Sequence, residues 1–109
     1  MDCEPEPMAH AAALGIDRVE LYTGPYAWAW GTPEQDAERT RLWSAAEAAY
    51  QAGLGVNAGH DLDRHNLAGL LGLESLLEVS IGHAQICRAL EVGTTQSVQE
   101  LLRALGWNP

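Results

Sequence analysis

The chain has 109 residues, 47% of them hydrophobic and 19% charged, which suits one small domain spanning residues 1–109 with a modest core and argues against a disordered polymer. Fifteen acids against six bases, all arginine, leave a formal charge of −9, a surface that repels polyphosphate backbones and disfavours nucleic acid as a partner. No apolar run approaches the roughly 18 residues of a spanning helix, the start lacks a basic secretory region, and Cys3 and Cys87 form no CxxC pair, so the expectation is a cytoplasmic protein with free thiols and no membrane association.

In chain order, Glu4-Pro5-Glu6-Pro7 resists regular structure, and Met8 to Leu14 reads as a short alanine-rich helix closed by Gly15. Arg18-Val19-Glu20-Leu21-Tyr22 alternates polar and apolar positions between Gly15 and Gly24, a strand signal. Thr32-Pro33-Glu34-Gln35 carries a capping threonine, a proline suited to the first helical turn and a glutamine completing a capping box. That box predicts a long helix running to about Ala52 and stopped by Gly53. Leu54 to Ala58 is the second predicted strand and Leu76 to Ile81 the third, with a short helix over His65 to Leu71 between them. His83 to Leu90 then reads as a helix broken by Gly93. Thr94 or Thr95 caps a last helix through Ala104, with Val98, Leu101, Leu102 and Leu105 on one face.

The resulting βαβαβα order specifies an α/β fold with parallel strands and outer helices, because parallel neighbours need crossover connections. Three parallel strands alone leave one face and two edges open, so the chain reads as part of a larger parallel structure.

The chemistry concentrates at two strand ends, Val56-Asn57-Ala58-Gly59-His60-Asp61-Leu62 and Val79-Ser80-Ile81-Gly82-His83-Ala84. Each strand stops at Gly-His, which places an imidazole at a strand's C-terminal end, where parallel α/β proteins keep their active sites. With no lysine in the chain, a phosphorylated ligand would be held mainly by backbone N–H groups at a helix N-terminus. His60, Asp61, Asp63 and His65 also invite a metal reading, but their spacing fixes no ligand set and Arg64 sits among them. Trp43 is expected to pack the long helix, and Trp28 and Trp30 to lie on a loop or an interface.

At Arg18 to Ala27, Gly53 to Leu62 and Glu78 to Ala84 the sequence resembles the pyridoxine 5'-phosphate synthase family of (β/α)8 barrels. The resemblance runs from about Asp2 to Leu105 and implies the C-terminal part of such a TIM barrel, roughly its last three β/α units. A whole barrel takes about 250 residues. The reaction it implies condenses 3-amino-2-oxopropyl phosphate with 1-deoxy-D-xylulose 5-phosphate, using no metal or organic cofactor. It needs proton-moving groups and phosphate anchors.

Carried over by position, the resemblance makes His60 a proton donor, Glu20 a transition-state stabiliser, and Gly82 and His83 phosphate-holding residues. Asp61 stands where many members have a substrate-contacting glycine, a change that leaves its part in binding in question. Asn57 is expected to orient His60, and Thr23 and Gly24 to line the loop after the first strand. Blander readings stand beside these: a histidine next to a glycine turn can simply tie down its loop, and Gly82-His83 can be no more than a strand-to-helix turn. The expected partners are small phosphorylated substrates, together with a second copy of the chain or a complementing barrel fragment. A non-catalytic phosphate-binding or assembly role is the alternative.

Overall fold

The computed structural model describes residues 1–107. Helix α1 spans Pro7–Ala13, strand β1 Arg18–Tyr22, α2 Gly24–Ala29, α3 Gln35–Gln51, β2 Gly55–Gly59, a 3-10 turn Asn66–Leu70, β3 Leu76–Ser80, α4 His83–Val92 and α5 Thr94–Ala104. The strands pair in parallel in the order β1-β2-β3, with Glu20 beside Asn57 and Tyr22 beside Gly59. The expected parallel α/β arrangement is therefore present, as one open sheet.

Period-two alternation decides which face is covered. Val19 and Leu21 of β1 and Val56 and Ala58 of β2 are buried, in one cluster with Met8 and Ala11 of α1 and Leu42, Ala45, Ala46 and Ala49 of α3. The alanines let α3 lie close against the sheet. The other face carries Arg18, Glu20 and Tyr22 beside Gly55, Asn57 and Gly59, followed by Glu78 and Ser80 of β3. Across it Arg18 Nη1 reaches Asn57 Oδ1 at 3.2 Å and Glu78 Oε2 at 3.3 Å, and Asn57 Nδ2 donates to the same Glu78 oxygen at 3.2 Å. Sheet and helices thus give one dry face and one polar, open face.

At the outer edge of β1, Met1 runs alongside: its ammonium donates to the Glu20 carbonyl at 2.7 Å and its own carbonyl accepts from Tyr22 N–H at 2.7 Å. The opposite edge is apolar and bare, with Leu77 on β3 and Ile86 and Leu90 on α4 exposed. No residue of α4 is buried. This helix is held to α5 by the Arg88 guanidinium, whose Nε and Nη2 donate to the two Glu100 carboxylate oxygens at 2.8 and 2.9 Å, and by Ser97 Oγ donating to the Gln85 carbonyl at 3.0 Å. That bidentate pairing holds the Glu100 carboxyl down to about 2.

Several boundaries move relative to the sequence reading. The predicted capping box does not form as such: Thr32 Oγ1 accepts from Glu34 N–H and donates to the Ala29 carbonyl, while Gln35 Oε1 accepts from Gly31 N–H, and the helix begins at Gln35. The bonds run one residue out of the box register because Thr32 closes the turn after α2. Neither Thr94 nor Thr95 caps α5. Gly93, at φ 89°, occupies that position, ending α4 and starting α5 through a conformation that glycine adopts without penalty. Helix α2, read as loop, carries Trp28 and places Trp30 at its C-terminal cap. Trp43 packs α3 as expected, donating from Nε1 to the Gly69 carbonyl at 3.0 Å beneath the Arg39 guanidinium. Both cysteines are free, Cys3 buried and Cys87 exposed. Among the described residues no helix is long and apolar enough to cross a membrane.

Candidate functional site

The C-terminal ends of β1 and β2 meet at a turn that the backbone must be forced to adopt. His60 has φ 109° and Asp61 φ 59°, both in the left-handed region, where a non-glycine residue costs about 1–3 kcal/mol. The surroundings hold all three carbonyls of this turn. Thr23 N–H donates to the Gly59 carbonyl at 3.1 Å, Thr23 Oγ1 to the His60 carbonyl at 2.7 Å, and Asn66 Nδ2 to the Asp61 carbonyl at 3.1 Å. Thr23 and Asn66 are both buried, so neither side chain has water to turn to instead. Asn66 is fixed in turn by Asp63, whose backbone N–H donates to Asn66 Oδ1 and whose Oδ1 accepts from the N–H groups of His65 and Asn66.

With its backbone pinned, His60 projects beside the Tyr22 ring, edge-on at 4.8 Å between centroids. Its Nδ1 lies 3.1 Å from Asp61 Oδ2, and the same oxygen accepts from Trp28 Nε1 at 2.9 Å. Hydrogen bonds from His60 and from Trp28 hold the Asp61 carboxyl below the usual carboxylate range. The carboxylate is thereby turned toward α2, with its Oδ2 occupied.

An open cavity of about 540 Å³ lies at these strand ends, lined by Met1, Glu20, Tyr22, Gly59, His60, Asp61, Ser80, Ile81, Gly82 and His83. It gathers five of the residues singled out from the sequence: Glu20, His60, Asp61, Gly82 and His83. The Glu20 carboxylate is packed so close over Gly59 that a Cβ there would strike Oε1, so the glycine is what admits the carboxylate to the middle of the cavity. Gly82 is a different case. Its φ is −118° and an added Cβ would meet no atom within 4 Å, so its lack of a side chain leaves open space before the first turn of α4. No arginine lines the cavity. His83 opens α4, and its Nε2 lies 3.4 Å from the Cys87 sulfur one turn on.

The expectations for Asn57 and Gly24 are corrected. Asn57 does not orient His60: three residues back along the chain and on the same open face, its amide is taken up by the Arg18–Glu78 pairing. Thr23 lies in the connection after β1, as expected, and holds the His60 backbone from there. Gly24 is the first residue of α2, packed where a Cβ would come within 2.6 Å of the Tyr22 ring. The residues that sequence reasoning passed over are Trp28 and Asn66. Asp63 three residues before Asn66 is a readable turn signal, since a short acidic side chain caps free N–H groups. Nothing in the sequence ties Trp28 to Asp61. Among the described residues no group of three or more His, Cys, Asp or Glu side chains is placed to hold a metal.

Comparisons with known proteins address the family of the chain. The family model for the pyridoxal phosphate biosynthesis protein PdxJ matches residues 1–106. A pyridoxine 5'-phosphate synthase of Albidiferax ferrireducens is 53% identical over 106 residues, covering 96% of this chain and 42% of the relative. One from Xanthomonas campestris pv. campestris is 51% identical over 96 residues, covering 87% of this chain and 38% of the relative. One from Mesorhizobium japonicum is 47% identical over 108 residues, covering 97% and 44%. The chain thus spans about two fifths of the length of these curated relatives. Because the family match takes in nearly every residue, including the whole strand-end cavity, the chain belongs to the PdxJ family of pyridoxal phosphate biosynthesis proteins.

Proposed function

We propose that this chain forms the C-terminal β/α units of a pyridoxine 5'-phosphate synthase barrel, the enzyme that condenses 3-amino-2-oxopropyl phosphate with 1-deoxy-D-xylulose 5-phosphate. The observation that carries the reading is the convergence of Glu20, His60, Gly82 and His83 on one cavity at the C-terminal ends of parallel strands. In this reading His60 gives and takes the proton during dehydration and ring closure, and Glu20 faces the cationic centre that develops beside it. The first N–H groups of α4, beyond Gly82, hold a phosphate with His83, while Asp61 lines the cavity wall with its carboxylate turned to His60 and Trp28. No cofactor is required. A chain with no lysine and no cavity-lining arginine suits a site in which backbone N–H groups bear the anion.

The bare edge at Leu77, Ile86 and Leu90 favours a second element of the reading: the chain works as one part of a closed structure, completed by the remaining barrel units or by another copy. Alone it does not turn over. The test combines the purified chain with the complementary N-terminal part of the Albidiferax ferrireducens relative and measures pyridoxine 5'-phosphate formation. Turnover by the mixture and not by either part supports the reading. A mixture that assembles and binds pyridoxine 5'-phosphate without turnover would favour the non-catalytic alternative.

A further inference from the structure

We infer that Asp61 is a positioning residue which, held by Trp28, fixes the tautomer of His60 so that Nε2 is the atom that exchanges protons in the cavity. The inference deepens the proposed role of His60 and rests on it. Asp61 Oδ2 lies 3.1 Å from His60 Nδ1 and receives the Trp28 indole N–H at 2.9 Å. An ionised carboxylate only accepts, so the short Nδ1 contact requires the proton on Nδ1. That leaves Nε2 with its lone pair, free to accept a proton and return it.

Side-chain exposures of 58% for His60 and 40% for Asp61 make the pair too wet to add much stability. Its effect lies elsewhere. The two tautomers of a neutral imidazole differ little in free energy, so one well-placed acceptor selects between them even where it adds little to folding. Placement is what the rest of the site supplies. Trp28, on α2, stops the carboxylate from rotating away. The left-handed backbone at positions 60 and 61, held by Thr23 and Asn66, brings adjacent side chains onto the same side of the turn. Tyr22 closes one flank of the ring.

The other ionisable groups around the cavity are Glu20 and Tyr22 on β1, the Met1 ammonium at the edge of β1 and His83 at the start of α4. None of these is bonded to a ring nitrogen of His60, so Asp61 is its one hydrogen-bonded side-chain partner among the described residues. The carboxylate at position 61 thus orients the imidazole from outside the reacting centre.

The experiment is long-range 15N–1H correlation of the histidine rings in the 15N-labelled chain above the imidazole titration, with His60→Gln to assign the signals. The expected result is a protonated Nδ1 and a bare Nε2 for His60. Asp61→Gly should move the ring toward the Nε2–H form that unconstrained histidine favours, and Trp28→Phe should move it part of the way. Amide spectra unchanged away from the turn report that each variant is folded. An Nε2–H tautomer in the unmodified chain overturns the inference without any variant, and so does a tautomer that Asp61→Gly leaves unchanged. Because the rings are read without substrate, the result is separable from the proposed function. A fixed Nδ1–H tautomer in an enzyme whose turnover ignores His60 would sink the proposed role and leave the dyad standing.

Discussion

Thr23 reaches across from the end of β1 to donate its hydroxyl hydrogen to the carbonyl of His60 at 2.7 Å, while its backbone N–H holds the carbonyl of Gly59. One fully buried residue therefore secures the turn that aims the imidazole. Replacing it with the near-isosteric valine leaves the His60 carbonyl without its donor and removes a restraint on a left-handed residue. Thr23→Val is expected to cost about 1–3 kcal/mol in urea unfolding. Thr23→Ser should recover most of that loss. A valine variant as stable as the parent would show that the turn is held by something else.

Tyr26 lies on the far side of α2 from the cavity, buried, with its hydroxyl donating to the Asn66 carbonyl. Burial pushes its ionisation up to about 12. In the unfolded chain a tyrosine ionises near 10, so above that pH the unfolded state loses a proton that the folded state keeps. Stability should fall as pH rises from about 10 toward 12, and Tyr26→Phe should remove that slope. Tyrosinate absorbance should show a late component that vanishes in the same variant.

Gly69 sits directly under the Tyr26 hydroxyl, where an added Cβ would collide with an oxygen already committed to Asn66, and would come within 3.2 Å of Trp30. Gly69→Ala is expected to destabilise the chain by about 1–3 kcal/mol through overpacking. Thermal unfolding checks it. Gly82→Ala, with open space around the added methyl, should leave the melting temperature almost unchanged.

Glu100 is held down to about 2 by the bidentate Arg88 guanidinium that ties α5 to α4. A depressed carboxylate contributes stability that is complete above the ordinary carboxylate range and is lost as pH falls through the folded value. The helical signal of the C-terminal pair should therefore weaken between about pH 4.5 and pH 2. Glu100→Gln should be less stable at pH 7 and lack that acid-dependent loss. Hydrogen exchange at α4 and α5 resolves the two.

In a complemented barrel, His60→Asn is expected to lower kcat by about 10²–10⁴ with a modest change in KM, the signature of a lost proton-transfer group. His83→Ala should chiefly raise KM. Equal effects on kcat and KM from both substitutions would remove the distinction drawn between them.

The strands were legible because each is local: β1 alternates polar and apolar positions between glycines, and β2 and β3 are short apolar-rich runs that each lead into a Gly-His pair. Gly-His at two strand ends was legible for the same reason, since a motif of adjacent residues needs no tertiary information. Helix α2 was not. Gly24-Pro25 followed by two tryptophans has the composition of a loop, and it becomes helical because Tyr26 must reach Asn66 and Trp30 must pack on Tyr26. The partners of His60 were hidden by sequence distance, Trp28 meeting Asp61 across 33 residues and Thr23 meeting His60 across 37. Asn57 was misassigned because proximity in sequence was read as proximity in space: its amide is taken up by Arg18 and Glu78 on the neighbouring strands.

The two thiols differ in a way that makes the site addressable. Cys3 is buried, with its sulfur against the Tyr22 carbonyl and its ionisation pushed up by burial, whereas Cys87 is exposed one helical turn from His83. A maleimide dye added to the unmodified chain should therefore attach once, on α4, and not react within the core. The molecule carries its own attachment point for a fluorescent or spin reporter at the rim of the cavity. Events there can be followed without engineering a cysteine into a fold this small.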